Sequence, residues 1–176
     1  YGRTSEDKFG KSIPVMVGGG IYTGGDSDRF MRMGESGVKM GTRCVATKEC
    51  DASDAFKQAH IDCKGEDIML IDSPVGLPGR AIRNSFLKLR QAGIKEPFTC
   101  LWKCLRSCEF KKAYYCIARA LMNAQQGNLE HGFAFAGANA YRSNKILTVK
   151  ELIATLVREF QECALKGASP SADLGI

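Results

Sequence analysis

Several things are scarce in this sequence, and each scarcity removes a class of function. No apolar run approaches the length needed to cross a bilayer, and no signal-peptide pattern opens the chain, so a membrane protein is not expected. Only 2 histidines occur, which leaves few candidates for general acid–base work. No Gly-Lys-Ser/Thr has a glycine five residues before it, since Ser5 stands at that place ahead of Gly10-Lys11-Ser12, which excludes a P-loop. A G-x-G-x-x-G fingerprint fails in both registers, because counting from Gly18 ends on Thr23 and counting from Gly20 puts Tyr22 second. The basic residues giving the net charge of +6 are scattered and not interleaved with aromatics, so a solvated surface is favoured over a nucleic-acid face. No C-x2-C pair exists among the 8 cysteines, and without a secretory signal they read as reduced thiols of a cytoplasmic protein.

What is present centres on Ile13 to Thr47. Ile13-Pro14-Val15-Met16-Val17 is a short apolar run stopped by Gly18-Gly19-Gly20; Gly37 to Thr42 is a second run with a glycine near its end, and Val38 to Val45 reads as the second strand. Between them lies a helix capped by Asp26 and ended by Gly34 and Gly37. Strand, glycine turn, helix, strand is a βαβ unit with neighbouring parallel strands. Glycines at strand ends allow close approach of a ligand and aim backbone N–H groups at an anion. A buried strand with a flexible turn is the plain alternative for either run alone; two such ends side by side favour a phosphate cradle.

Farther along, Ser53 or Asp51 caps a helix whose Ala55, Phe56, Ala59, His60 and Cys63 share one side. His60 on that face reads as a structural histidine. Ile68 to Ile71 reads as a strand, and Ser73 to Gly79 as a loop leading to Arg80 and Arg83 at helical spacing. Cys100, Cys104, Cys108 and Cys116 form C-x3-C-x3-C-x7-C. On a helical tail the first three would be small residues near one face, and no metal is expected. Tyr114 to Gln126 has helical periodicity with Gly127 as its stop, and His131 falls in the following turn. Thr148 and Glu151 form a capping box that opens the last helix. Residues 167–176 are expected to be a disordered tail.

Three motifs, PVMVGGGI (Pro14 to Ile21), GVKMGTRCVATKEC (Gly37 to Cys50) and GRAIRN (Gly79 to Asn84), closely resemble the C-terminal part of the nitronate monooxygenase family, a superfamily that includes flavin-dependent enoyl-acyl-carrier-protein reductases. Tyr115 to Arg142 also looks like one branch of that family. The resemblance implies an α/β fold, specifically the last two strands of a (β/α)8 TIM barrel with a mostly helical C-terminal extension. The implied layout is 1–50 as the last barrel unit, 51–99 as a post-barrel excursion, and 100–166 as the helical extension. A full barrel typically runs to about 250 residues, so the expected partner is a missing N-terminal part of the barrel.

The resemblance also implies FMN, held by Gly19, Gly20, Lys39, Met40, Gly41 and Thr42, and a small-molecule substrate. The expected reaction is conversion of an alkyl nitronate to a carbonyl compound and nitrite with oxygen; enoyl reduction or a non-catalytic fragment are the alternatives. Arg80 or Arg83 could brace a loop over the flavin, and Asn139 and Tyr141 are weaker pocket candidates. Two positions depart from the family pattern: Lys39 stands where relatives commonly have Gln, and Cys44 where they have Phe. The family's catalytic histidine sits in a Gly-Gly-His motif that this sequence lacks, and neither His60 nor His131 matches it.

Overall fold

A computed structural model describes residues 7–101, 103–104, 106 and 108–168. The elements in chain order are β1 (Met16–Gly18), α1 (Gly24–Arg32), β2 (Gly37–Lys39), α2 (Thr42–Val45), α3 (Asp54–Asp62), β3 (Ile68–Asp72), β4 (Pro78–Ile82), α4 (Ser85–Gln91), α5 (Ile117–Gln125) and α6 (Val149–Ala168). The protein is α/β, with two separate two-stranded sheets among the described residues.

β1 and β2 are parallel, with Met16 opposite Gly37, Val17 opposite Val38 and Gly18 opposite Lys39. The βαβ expectation holds, but its parts differ in detail. The second strand stops at Lys39, and residues 42–45 coil into a short helix after Gly41. Gly41 takes φ −109° and ψ −66°, which leaves the extended ladder and starts that turn. The cap of α1 is Thr23, not Asp26. Thr23 Oγ1 accepts from the Asp26 N–H at 3.0 Å, and the Asp26 carboxylate accepts from the Thr23 N–H at 2.9 Å and the Tyr22 N–H at 3.0 Å. A threonine three residues before the aspartate makes a reciprocal capping box, so Asp26 serves at the third helical position.

α1 lies against α6. Gly24 and Gly25 make the approach possible: a Cβ on Gly24 would collide with the backbone of Leu156 and Phe160. The Gly24 N–H instead donates to the Glu159 carboxylate at 2.8 Å. α6 opens as expected, with Thr148 N–H donating to Glu151 Oε2 at 2.8 Å and Glu151 N–H to Thr148 Oγ1 at 3.2 Å. It runs through Ala168, so the expected tail is shorter; residues 169–176 lie outside the described residues.

The main core is built elsewhere. β3 and β4 are antiparallel from Ile68–Ile82 to Asp72–Pro78. This overturns the reading of Pro78, Gly79 and Arg80 as loop and helix start. Pro78 sits at the first position of its strand, where its missing N–H is tolerated, and Arg80 is exposed opposite Leu70. The helix begins later, capped by Asn84, whose side-chain oxygen accepts from the Leu87 N–H at 3.0 Å. The Phe133–Ala136 stretch runs along the other edge of β4, through Ile82 N–H to Ala134 O at 3.0 Å and Ala136 N–H to Arg80 O at 3.0 Å. Phe86, Tyr115 and Phe133 form the centre of the core with Met69, Ile71 and Leu87. Phe86 and Phe133 are fully buried, and each such ring contributes roughly 1.5–3 kcal/mol by leaving water.

Two predictions follow from the α1 junction. Gly24→Ala should lower unfolding stability by about 1–3 kcal/mol, through overpacking against α6, as read by chemical denaturation. Burial raises the Asp26 carboxyl, but the Thr23 and Tyr22 N–H groups, the Thr23 hydroxyl and Arg142 outweigh it and hold it below its ordinary 3.8. A lowered folded pKa means that the folded state binds fewer protons, so this stabilisation is present above the unfolded pKa and is lost as pH falls through the folded one. Asp26→Asn should therefore flatten the acid limb of a stability-versus-pH curve below about pH 4; an unchanged limb would show that the carboxylate contributes nothing there.

Candidate functional site

The parallel register places two glycine ends side by side. Gly18 pairs with Lys39, so Gly19-Gly20 and Met40-Gly41 leave the sheet at one end. Gly19 and Gly20 adopt φ +95° and +73°, left-handed values that disfavour any side chain. A Cβ built on Gly19, Gly20 or Gly41 would meet nothing within 4 Å, so open space lies over all three. Among the described residues no hydrogen bond within the chain occupies the N–H of Gly20 or Gly41. Free backbone donors at an open strand end suit an anion.

The other expected residues border the same end. Lys39 is exposed, and no carboxylate among the described residues lies within ion-pair distance of it. Met40 is half-buried, and its carbonyl lies 3.8 Å from the Cys44 thiol, which donates to it. Thr42 Oγ1 accepts from the Gly137 N–H at 2.8 Å, which leaves its O–H free to donate.

The FAFAGANAYR segment is the brace that reasoning from the sequence did not locate. Asn139 Nδ2 donates to Gly20 O at 2.7 Å, while Gly137 holds Thr42. One loop thus pins both glycine ends. Asn139 is therefore a support under the site, whereas Tyr141 is exposed and packs near Gly65. The signal for Gly137 was weak: a glycine within a motif, with nothing in the spacing to tie it to Thr42.

Arg80 and Arg83 are exposed and outside any ion pair among the described residues. The two histidines are structural. His60 is fully buried, with Nδ1 3.0 Å from Phe56 O and Nε2 3.4 Å from Phe135 O. His131 is exposed and bonds through Nδ1 to Glu96 Oε1 at 2.8 Å, while Glu96 also takes Arg90 at 2.6 Å. Neither ring faces the glycine ends. Burial pushes the Tyr115 hydroxyl up to about 12 against a lowering by Arg90, and among the described residues the hydroxyl has no partner.

The cysteine-rich stretch differs from the expected helix. None of the described residues between 92 and 116 is helical or extended. Cys100, Cys104, Cys108 and Cys116 line one cavity of about 220 Å³. Burial, then the other three thiols, push the Cys108 thiol up.

The comparisons give first a class and then a family. FabK from Thermotoga maritima is similar over 89% of this chain and 47% of that one, with TM-score 0.69 and 26% identity. Nitroalkane oxidase from Streptomyces ansochromogenes matches over 92% of this chain and 43% of that one, with TM-score 0.66 at 22% identity, a likeness of fold. These neighbours define the class by fold, the TIM-barrel type. The family model "Nitronate monooxygenase" matches residues 6–159, so the chain belongs to the nitronate monooxygenase family. A probable nitronate monooxygenase of Staphylococcus saprophyticus is 36% identical over 76 residues, covering 43% of this chain and 21% of that protein. One of Staphylococcus haemolyticus is 35% identical over 77 residues, covering 44% and 22%. The matched stretch is therefore about a fifth of the length of these relatives.

His60 supplies a check on this partition of roles. His60→Ala should cost roughly 2 kcal/mol or more, as a buried ring and its hydrogen bonds are lost, and leave flavin affinity unchanged. A loss of affinity without loss of stability would move His60 into the site.

Proposed function

We propose that this chain supplies the phosphate-binding end of an FMN-dependent oxidoreductase that acts on alkyl nitronates. The carrying observation is the pair of open glycine ends, Gly19-Gly20 and Gly41, set side by side by the parallel register. Backbone N–H groups of Gly19, Gly20, Gly41 and Thr42 would take the phosphate oxygens, and the Thr42 hydroxyl would add a donor. Lys39 and Met40 would border the cofactor on the β2 side. Bound FMN would supply the redox chemistry, accepting an electron from a nitronate whose conversion to carbonyl compound and nitrite oxygen completes.

The chain's own residues contribute binding and orientation. Asn139 and Gly137 hold the glycine turns at fixed separation, which preorganises the donors. Lys39 brings a positive charge where relatives commonly carry an amide, and a cation there would favour the reduced, anionic flavin. Proton abstraction is not provided for: His60 is buried between two carbonyls, and His131 is tied to Glu96. The likeness to FabK supports a second reading, NAD(P)H-dependent enoyl reduction on acyl carrier protein, built on the same phosphate end.

We further propose that β1 and β2 belong to a closed barrel completed by strands outside this chain, which would also carry the base. Parallel sheets are normally buried on both faces, yet Met16 is 65% exposed. Partnerless edges of this kind favour pairing with further strands.

The cradle is tested by Gly41→Val in the whole protein. Gly41 has a right-handed φ and free space at Cβ, so the change should leave folding intact and fill the volume needed by phosphate. FMN affinity should fall roughly tenfold or more, about 1.4 kcal/mol; an unchanged titration sinks the assignment. Oxygen uptake with propyl nitronate, against NADH or NADPH oxidation with a crotonyl thioester, separates the two reactions. Residues 1–176 alone should retain FMN weakly and oxidise no nitronate, and co-expressed barrel strands should restore both. Yellow, active protein from this chain alone would refute the incomplete-barrel reading.

A further inference from the structure

Residues 92–116 pose a physical problem. Unstructured connections longer than about 12–15 residues are uncommon in compact domains unless they are functional or disordered. This one is tied at its neck by Glu96 N–H to Tyr114 O at 2.8 Å and by the Arg90–Glu96–His131 contacts. Within the loop, the described residues contribute no regular ladder and little buried apolar surface. Leu101 is 74% exposed and Phe110 37%. What converges there instead is sulfur. Cys100, Cys104, Cys108 and Cys116 all line one cavity, shared with Lys103 and Arg106. All four thiols are free. Lys103 is the one described non-glycine residue with a left-handed backbone, φ 43°, and it bends the chain between Cys100 and Cys104.

We propose that Cys100, Cys104, Cys108 and Cys116 form a tetrathiolate site for a thiophilic metal centre, zinc or an iron–sulfur cluster, which organises this loop. The absence of C-x2-C pairs and the assumed helix argued against a metal from the sequence. Among the described residues no helix forms there; Val75, Phe98, Phe110 and Ile117 share the cavity wall, but four cysteines on one wall exceed what apolar lining requires. Short irregular loops rich in cysteine are the kind of segment that a bound metal folds, because ligand bonds replace a missing hydrophobic core. Four thiolates around a divalent ion leave about two negative charges, and Lys103 and Arg106 on the cavity wall offset them. As placed, no three described His, Cys, Asp or Glu side chains are gathered closely enough to hold an ion, so binding would have to draw the loop inward around the shared cavity. Each thiol gives up its proton to become a ligand, and no oxidation or reduction of the protein is involved.

The whole protein, expressed without a metal-binding tag and purified anaerobically, should contain about one zinc, or about four iron with inorganic sulfide, per chain. Elemental and acid-labile sulfide analysis separates the two sources, and flavin does not interfere with either. Cys104→Ser/Cys108→Ser should lose that metal. Should the double variant fold poorly, alkylation of the wild-type protein decides. With metal bound, the four cysteines should be protected while exposed Cys44 reacts, and a chelator should abolish the protection. No stoichiometric metal in the wild type, metal retained by the double variant, a disulfide among the four in fresh metal-free protein, or alkylation of all four as fast as Cys44 would each overturn the proposal.

Discussion

The register of β1 against β2 is the constraint on which the candidate site depends. Three residue pairs fix it, and the last, Gly18 with Lys39, decides where each strand leaves the sheet. A one-residue slip would turn every side chain to the opposite face. It would also stagger the glycine ends, so that Gly20 and Gly41 no longer left the sheet side by side. The register is held from outside the ladder as well as within it. Ser36 N–H donates to Val15 O at 2.8 Å just before β2 begins. Beyond the sheet, Asn139 and Gly137 fasten one loop to both strand ends. A site made of backbone N–H groups needs such fastening, because its donors move whenever the chain moves.

The loop that does the fastening connects the site to the core. Phe133 and Ala134 lie in the buried clusters, Ala136 bonds back to Arg80, and three residues later Asn139 reaches Gly20. Aromatic burial around Phe86, Tyr115 and Phe133 therefore sets the position of Asn139 within a few bonds. The glycine turns carry almost no apolar contact of their own, as expected for ligand-binding segments drawn from the less stable part of a fold and held by a rigid one. Arg90 makes a similar link on the opposite side, stacking on Phe86 at 4.6 Å while pairing with Glu96.

Local chemistry was legible in the sequence where it was strong, and illegible where tertiary contacts decided. The Thr148–Glu151 capping box, the Ser53 cap and the glycine-terminated parallel pair all stand where their residue types place them. His60 reads correctly as structural, since it sits on the apolar side of α3. β4 was missed because Pro78 and Gly79 look like turn residues, and only pairing with β3 makes them strand. Val38 to Val45 reads as one strand, but the strand stops at Lys39 and residues after Gly41 turn into a short helix. Cys100 to Cys108 has helical spacing, yet none of its described residues is helical; spacing alone carries little weight without a continuous apolar face to bury. Asn139 could be guessed as a pocket residue, but its bond to Gly20 spans 119 positions and has no local signature.

The placement of charge separates the two halves of the binding end. Gly19-Gly20 carries no side chain at all, so on the proposed reading its part in holding a phosphate would be geometric and would not titrate. On the β2 side Lys39 adds a full charge on an exposed strand end, where solvent screens it. Backbone donors held by Asn139 and Gly137 would then decide whether a phosphate fits, while Lys39 would act chiefly at longer range. A change at position 39 would alter the charge beside the cradle without moving the glycines, because their positions are set by the strand register and the bracing loop.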